Sequence, residues 1–273
     1  MESFTVYTAL YNLEREKVDS RSFKEYIVWL SETVKLFPGI TVFHGGDLDE
    51  VYMPHAKLIR KPLLELVTFS YSQKVDHILE EFSPISADDI TFKLSSYGLL
   101  QFAKFELAAE IAQNSEAVIW VDAGISRFVK KVDLDRFSKS VNFELEDGSD
   151  YIFEADLKNN LKLGTLAIRD AEVGSCRRII SGGSFFVRSK SLPLIQQLIF
   201  EGLEDWTTRG IWDNEQVMLR KILPLISGKV VLIPQVSGIP GCLPRSYSNS
   251  KRKYFRFFQK YIMQMLIRGK DHY

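Results

Sequence analysis

The sequence predicts an α/β fold, a Rossmann-like mixed sheet flanked by helices, and three features carry that expectation. Ala117–Val121 is an unbroken apolar run, long enough for a buried parallel strand. Phe4–Leu10 and Ile40–Phe43, both rich in β-formers, bracket a segment with helical apolar spacing, which makes a βαβ unit. Asp122 closes the central run, and Gly124 lets the chain turn sharply away. Ligands of open α/β sheets gather outside the carboxyl ends of strands, so Asp122 stands where chemistry is expected. A carboxylate that merely caps the following turn is the competing reading.

The remaining elements follow in order. Ser22 with Glu25 three residues on forms a capping-box signature, and Phe23, Tyr26, Ile27, Leu30 and Val34 recur at helical spacing up to Pro38-Gly39. Leu63–Phe82 reads as largely helical, in a region cut up by Pro54, Pro62 and Pro84. Leu99–Ala112 is a clearer helix, with Leu100, Phe102, Ala103, Leu107, Ala108 and Ile111 on its apolar face. Past the central strand, a short helix is expected at Asp133–Lys139, and strands at Tyr151–Phe153, Leu166–Arg169 and Arg178–Val187. Turns are marked by Asp147-Gly148 and Asn159-Asn160. Helices at Leu192–Leu203, opening on Pro193, and at Asp213–Leu223 precede a last strand at Val230–Ile233. No repeat or low-complexity linker divides the chain, so one domain over residues 1–250 is expected, followed by a tail, 251–273.

Bulk charge names no partner: Lys plus Arg equals Asp plus Glu, at 35 each in 273 residues. The tail is different. Residues 251–273 carry seven basic residues against the single acid Asp271, a net +6. Tyr254, Phe255, Phe258, Tyr261, Ile262, Met265 and Leu266 share one helical face there. That profile suits a basic amphipathic helix, either lying on an anionic membrane surface or docked on the domain. Nucleic acid is not an expected partner, because only the tail is basic. Cys176 and Cys242 have no metal-ligand spacing, and neither a signal peptide nor an apolar run of membrane-spanning length is seen. The expected location is therefore cytoplasmic, peripheral on the inner face of a membrane if the tail binds lipid.

Several side chains suit chemistry at strand ends. Thr8 and Ala9 end the first strand and Tyr11 and Asn12 follow it, where hydrogen-bonding groups hold a base or ribose or simply build a loop. His44-Gly45-Gly46-Asp47 ends the next; its glycines permit close backbone approach or a tight turn. Lys104 sits amid apolar residues, either snorkelling to water or turned inward to neutralise a diphosphate. The paired Gly182 and Gly183 interrupt a strand, the mark of a bend or of close ligand approach. Asp213 suits a helix N-cap with Gln216 as capping partner, leaving Trp212 and Glu215 free for a site.

These pieces resemble nucleotide-sugar glycosyltransferases of the GT-A fold, and more narrowly the HtrL/YibB family of bacterial envelope-associated proteins. The resemblance rests on Thr5–Tyr11, Phe23–Trp29, Gln101–Phe105, Ile119–Gly124, Ser181–Phe186 and Asp213–Gln216, which occur in that order. It implies a single GT-A-like domain with a donor cleft above the first and central strands. Thr8, Ala9, Tyr11, Asp47, Lys104, Asp122 and Gly124 would bind the donor. Gly182, Gly183 and Trp212 would stand on the acceptor side. Asp122 would be the ligand of Mg²⁺ or Mn²⁺. One departure counts against that metal: the second acid of an Asp-x-Asp pair is replaced by Gly124. A basic side chain such as Lys104, Arg127 or Arg188 is the substitute source of positive charge.

The expected function is transfer of a sugar from a nucleotide-sugar donor to a cell-surface glycan or lipid-linked acceptor. Asp213 or Glu215 would serve as general base toward the acceptor hydroxyl if the reaction inverts, and would orient the acceptor or stabilise positive charge on the sugar if it retains configuration. A catalytically silent nucleotide- or sugar-binding module on the same fold is the alternative. A third reading is a metal-dependent phosphohydrolase built on Asp122, Asp213 and Glu215.

Overall fold

The computed structural model describes residues 2–49, 51–155, 168, 170–177 and 179–234. The expected strand at Leu166–Arg169, apart from Ile168, the Asn159-Asn160 turn and the tail 251–273 lie outside the described residues. Seven strands build the sheet: β1 (Glu2–Ala9), β2 (Ile40–His44), β3 (Ala56–Arg60), β4 (Ser115–Val121), β5 (Tyr151–Ala155), β6 (Ile180–Arg188) and β7 (Val230–Pro234). Their spatial order is β3-β2-β1-β4-β6-β5-β7. Neighbours run parallel except at β6, which is antiparallel to both β4 and β5. A parallel run followed by one reversed strand, covered by helices, makes this a GT-A-like α/β domain.

The helices are α1 (Glu16–Asp19), α2 (Phe23–Leu36), α3 (Ser72–Glu81), α4 (Ser95–Ala112), α5 (Leu134–Glu146), α6 (Leu192–Thr208) and α7 (Glu215–Ile222). Helix α2 starts where its sequence says it should. The Ser22 side chain accepts from the Glu25 amide, and the Glu25 carboxylate accepts from the Ser22 amide. Its inner stripe, Leu30 and Val34, packs with Phe37, Phe137 and Val141 against Ala117, Ile119 and Val121. On the other face of the sheet, α4, α6 and α7 bury Phe102, Phe105, Leu203, Trp206 and Val217 against Tyr7, Trp120 and Phe185. Phe105 stacks on Phe185 with ring centroids 4.5 Å apart.

Three expectations need correction. Strand β3 was not expected; Lys57 and Arg60 make Ala56–Arg60 only half-buried, and Pro54 and Pro62 flank it. The stretch Leu63–Phe82 is not one helix but short 3₁₀ turns at Leu63–Glu65 and Val67–Tyr71 before α3. The Glu106 carboxylate accepts from the Val67 and Thr68 amides and the Thr68 hydroxyl, which anchors that irregular start. Helix α7 is capped by Asn214, not Asp213: the Asn214 side chain accepts from the amides of Gln216 and Val217.

Candidate functional site: a cleft at the ends of β1 and β4

Parallel β1 and β4 end side by side, Tyr7 in register with Trp120, so the residues that follow each strand share one side of the sheet. The cleft there is lined by Ala9, Tyr11, Lys104 and Asp122 among the expected donor residues. Arg15, Arg21, Tyr26, Tyr97, Trp120 and Arg127 also line it. Among the described residues Asp122 is the one carboxylate lining it, against four lining cations.

Asp122 is fixed at both ends. Its amide donates to the Gly183 carbonyl at 2.8 Å, and its Oδ1 accepts from the Gly124 amide at 2.8 Å. The turn-capping reading of this carboxylate is thus realised, while the residue still lines the cleft. Lys104 turns inward. Its Nζ lies 2.9 Å from Glu215 Oε1 and donates to the Gly182 carbonyl at 2.9 Å, with the Trp120 ring centroid 5.3 Å away. Both side chains of the pair are 3% exposed. Adjacent carbonyls of Gly182 and Gly183 therefore tie down Lys104 and Asp122.

This arrangement changes the meaning of the glycine pair. A Cβ on Gly182 would fall 1.8 Å from Glu215 Oε1, so glycine there makes room for a buried carboxylate rather than for an acceptor. Glu215 sits behind Lys104 and does not line the cleft. Asp213 is fully buried, its carboxylate accepting from the amides of Gly174, Asn214 and Cys176. Burial holds its carboxyl above its ordinary value, against those hydrogen bonds. Trp212 is also fully buried; its Nε1 donates to the Thr91 carbonyl, and its ring packs on Phe102 and against Gly98. Neither Asp213 nor Trp212 faces the cleft.

Two donor-side residues stand off as well. Thr8 is fully buried with no hydrogen-bond partner for Oγ1 among the described residues, and Asp47 is an exposed rim residue whose Oδ2 accepts from the Asn12 amide. Arg188 is at the wrong end of its strand. It pairs with Ala117, five residues or about 16 Å along the strand from Asp122, and donates to the carbonyls of Leu145 and Ser149.

Of the cationic wall, the sequence pointed to Arg127 as a source of positive charge, and Arg15, Arg21 and the rings that hold the guanidinium groups were missed. The Arg15 guanidinium lies 4.4 Å from the Tyr97 ring centroid and 5.6 Å from that of Tyr26, and it pairs with Asp19 at 2.7 Å. Burial pushes the Tyr97 hydroxyl up to about 12, so this wall presents a neutral phenol. Trp29, in edge contact with Tyr26, carries the Arg127 guanidinium 4.4 Å from its ring centroid. Hydroxyl bonds lock α2 to the turn bearing Arg127: Thr33 donates to the Ala123 carbonyl and Ser126 to that of Trp29. The i, i+4 spacing of Arg15 and Asp19 was the available signal; Tyr97 carried none.

Asp122 alone is a poor cage for a divalent ion. One oxygen of Asp122 already serves the Gly124 amide, and a guanidinium covers that glycine. Among the described residues no group of three His, Cys, Asp or Glu side chains could hold a metal. The phosphohydrolase reading, which needs Asp122, Asp213 and Glu215 around one metal, is overturned with it.

Fold and site define an α/β protein of GT-A-like architecture with a cationic cleft at its central strand ends. No family model matches the chain, and no curated protein matches it. Among solved structures it is similar to mouse xyloside xylosyltransferase 1 in its apo form, at 10% identity over 85% of each chain with a TM-score of 0.44. It is similar to the 4-diphosphocytidyl-2C-methyl-D-erythritol synthase of Anaerococcus prevotii DSM 20548, at 10% identity over 96% of each chain and TM-score 0.39. A glycosyltransferase involved in glycosylation of the major capsid of PBCV-1 shares 12% identity over 85% of this chain and 82% of its own, again at 0.39. At this level of similarity the three carry no argument about substrate or mechanism. Among the described residues no helix is long and apolar enough to cross a membrane.

Proposed function

We propose that the chain is a nucleotide-sugar-dependent glycosyltransferase, HtrL/YibB-like, acting on a cell-surface glycan or lipid-linked acceptor. The observation that carries this reading is the sharing of one cleft by Asp122, the buried Lys104 and the strand-end residues Ala9 and Tyr11. Lys104 sets a positive charge where a leaving diphosphate gathers negative charge. Asp122, the cleft's carboxylate, orients the donor sugar. It also takes the proton of the acceptor hydroxyl as that oxygen bonds to the anomeric carbon and the diphosphate leaves with the electron pair of the broken bond. Glu215 supports the site from behind by holding Lys104, and Asp213 by holding the 174–176 turn. The tail 251–273 supplies the membrane surface contact in this reading, on its sequence alone.

A thermal-shift screen of nucleotides and nucleotide sugars on wild type and Asp122→Ala, followed by a donor-turnover assay, tests the reading. Stabilisation of about 2.7 kcal/mol is expected at one hundred times Kd, for one nucleotide class. Loss of that shift in Asp122→Ala supports the cleft; no shift for any nucleotide sinks the proposal. Binding without turnover would favour a catalytically silent module, a reading that the burial of Asp213 and Glu215 supports.

A further inference from the structure

Gly124 stands where the second acid of an Asp-x-Asp pair would be, and the space above it is filled. A Cβ at Gly124 would lie 2.9 Å from Arg127 Nε, 3.1 Å from Arg127 Nη2 and 3.2 Å from Asp122 Oδ1. An acidic side chain there requires the guanidinium to shift.

The guanidinium is held firmly where it is. Arg127 Nε donates to the Gly124 carbonyl at 3.1 Å, and the guanidinium carbon lies 4.4 Å from the Trp29 ring centroid and 5.0 Å from that of Phe128. Among the described residues Arg127 forms no ion pair, although it lines the same cleft as Asp122. With Nε engaged, Nη1 and Nη2 remain as a planar two-pronged donor, the geometry that matches two oxygens of a phosphate group. Packing on the Trp29 and Phe128 rings restrains the fork without competing for its N–H groups.

We infer that Arg127 is the binding residue for a diphosphate in this cleft, a fixed cation standing in the place of a divalent ion. The inference rests on the transferase reading for the identity of the ligand, a nucleoside diphosphate, but the anion site is testable apart from it. Charge at the cleft is then set by covalent structure and does not depend on metal supply.

The test is calorimetric titration of inorganic pyrophosphate into the full chain, in EDTA and in Mn²⁺. The variants are Arg127→Gln, Arg127→Lys and Gly124→Asp, with folding of each checked by thermal denaturation. Wild type is expected to bind in EDTA, with no requirement for Mn²⁺. Arg127→Gln should weaken binding roughly tenfold to a hundredfold, the range for losing hydrogen bonds to a charged group. Arg127→Lys should recover part of the affinity, as a point charge without the fork. Gly124→Asp, which displaces the guanidinium, should weaken binding in EDTA like Arg127→Gln. Pyrophosphate binding that requires Mn²⁺, or that is unchanged in a folded Arg127→Gln, overturns the inference. Arg127-dependent pyrophosphate binding with no response to any nucleotide sugar sinks the transferase reading and leaves this anion site standing. Sugar transfer that needs Mn²⁺ and ignores Arg127→Gln does the reverse.

Discussion

Gly182 and Glu215 are packed so closely that the carboxylate oxygen occupies the place of a side chain: a Cβ on Gly182 would lie 1.8 Å from Glu215 Oε1. Gly182→Ala must therefore push the carboxylate off Lys104. Breaking a buried pair costs about 3–5 kcal/mol, and a loss of that order in urea unfolding is expected. Adding Glu215→Ala vacates the space for the new methyl group, so the double variant should be less destabilised than the sum of the two singles. Simple additivity would show that the two residues are not in contact.

Lys104 and Glu215 stabilise each other only as a pair. Lys104→Met strands a buried carboxylate and should be strongly destabilising, whereas Lys104→Met with Glu215→Met replaces the pair by apolar volume and should recover most of the loss. The double variant should still bind pyrophosphate more weakly than wild type, since the cleft has lost a cation. Full recovery of both stability and binding would remove Lys104 from the site.

Asp213 gives a pH signature of defined sign. Its carboxyl holds a proton more tightly folded than unfolded, because burial raises its value. Its contribution is fully present below the ordinary carboxylate range and is lost as pH rises through the raised value. Asp213→Asn removes that titration. The advantage of wild type over Asp213→Asn, read from urea midpoints between about pH 4 and pH 7, should shrink with rising pH. An advantage that grows would contradict the burial argument.

Ser22→Ala removes the cap of α2 and should cost about 1 kcal/mol, seen as a lower Tm. Helix α2 carries Tyr26 and Trp29 into the cationic wall by packing along its length, so pyrophosphate affinity should be unchanged. A drop in affinity would mean that the wall depends on the first turn of the helix.

Local signals were legible in the sequence and long-range ones were not. Ser22 and Glu25 announce their helix because both partners of the capping box lie within four residues. Asp122 and Gly124 announce a strand end in the same way, and Ala9, Tyr11 and Lys104 were found as neighbours of strand ends or of an apolar face. Pairing between Lys104 and Glu215, 111 residues apart, has no local trace. The misread N-cap shows another limit: Asp213 and Asn214 suit the position equally by type, and the buried amides of Gly174 and Cys176 decide which one is drawn inward. Gly182 and Gly183 were read as a bend or a close ligand approach, and what comes close to Gly182 is a side chain of this chain. Arg15 and Arg127 gain their positions from Tyr97, Tyr26 and Trp29, rings supplied by two different helices.

The reversed strand β6 brings Gly183 back to Asp122, so the chain leaves the cleft and returns to it at the end of the β4–β6 ladder, where the Asp122 amide donates to the Gly183 carbonyl at 2.8 Å. Residues 123–182 are thus a detour with both ends pinned at one address. The exposed face of α5, within this stretch, can be exchanged while Asp122, Lys104 and Glu215 keep their spacing. A protein built in this way can acquire a new neighbour for its cleft by editing one continuous segment, which makes that detour the natural place to graft a different specificity.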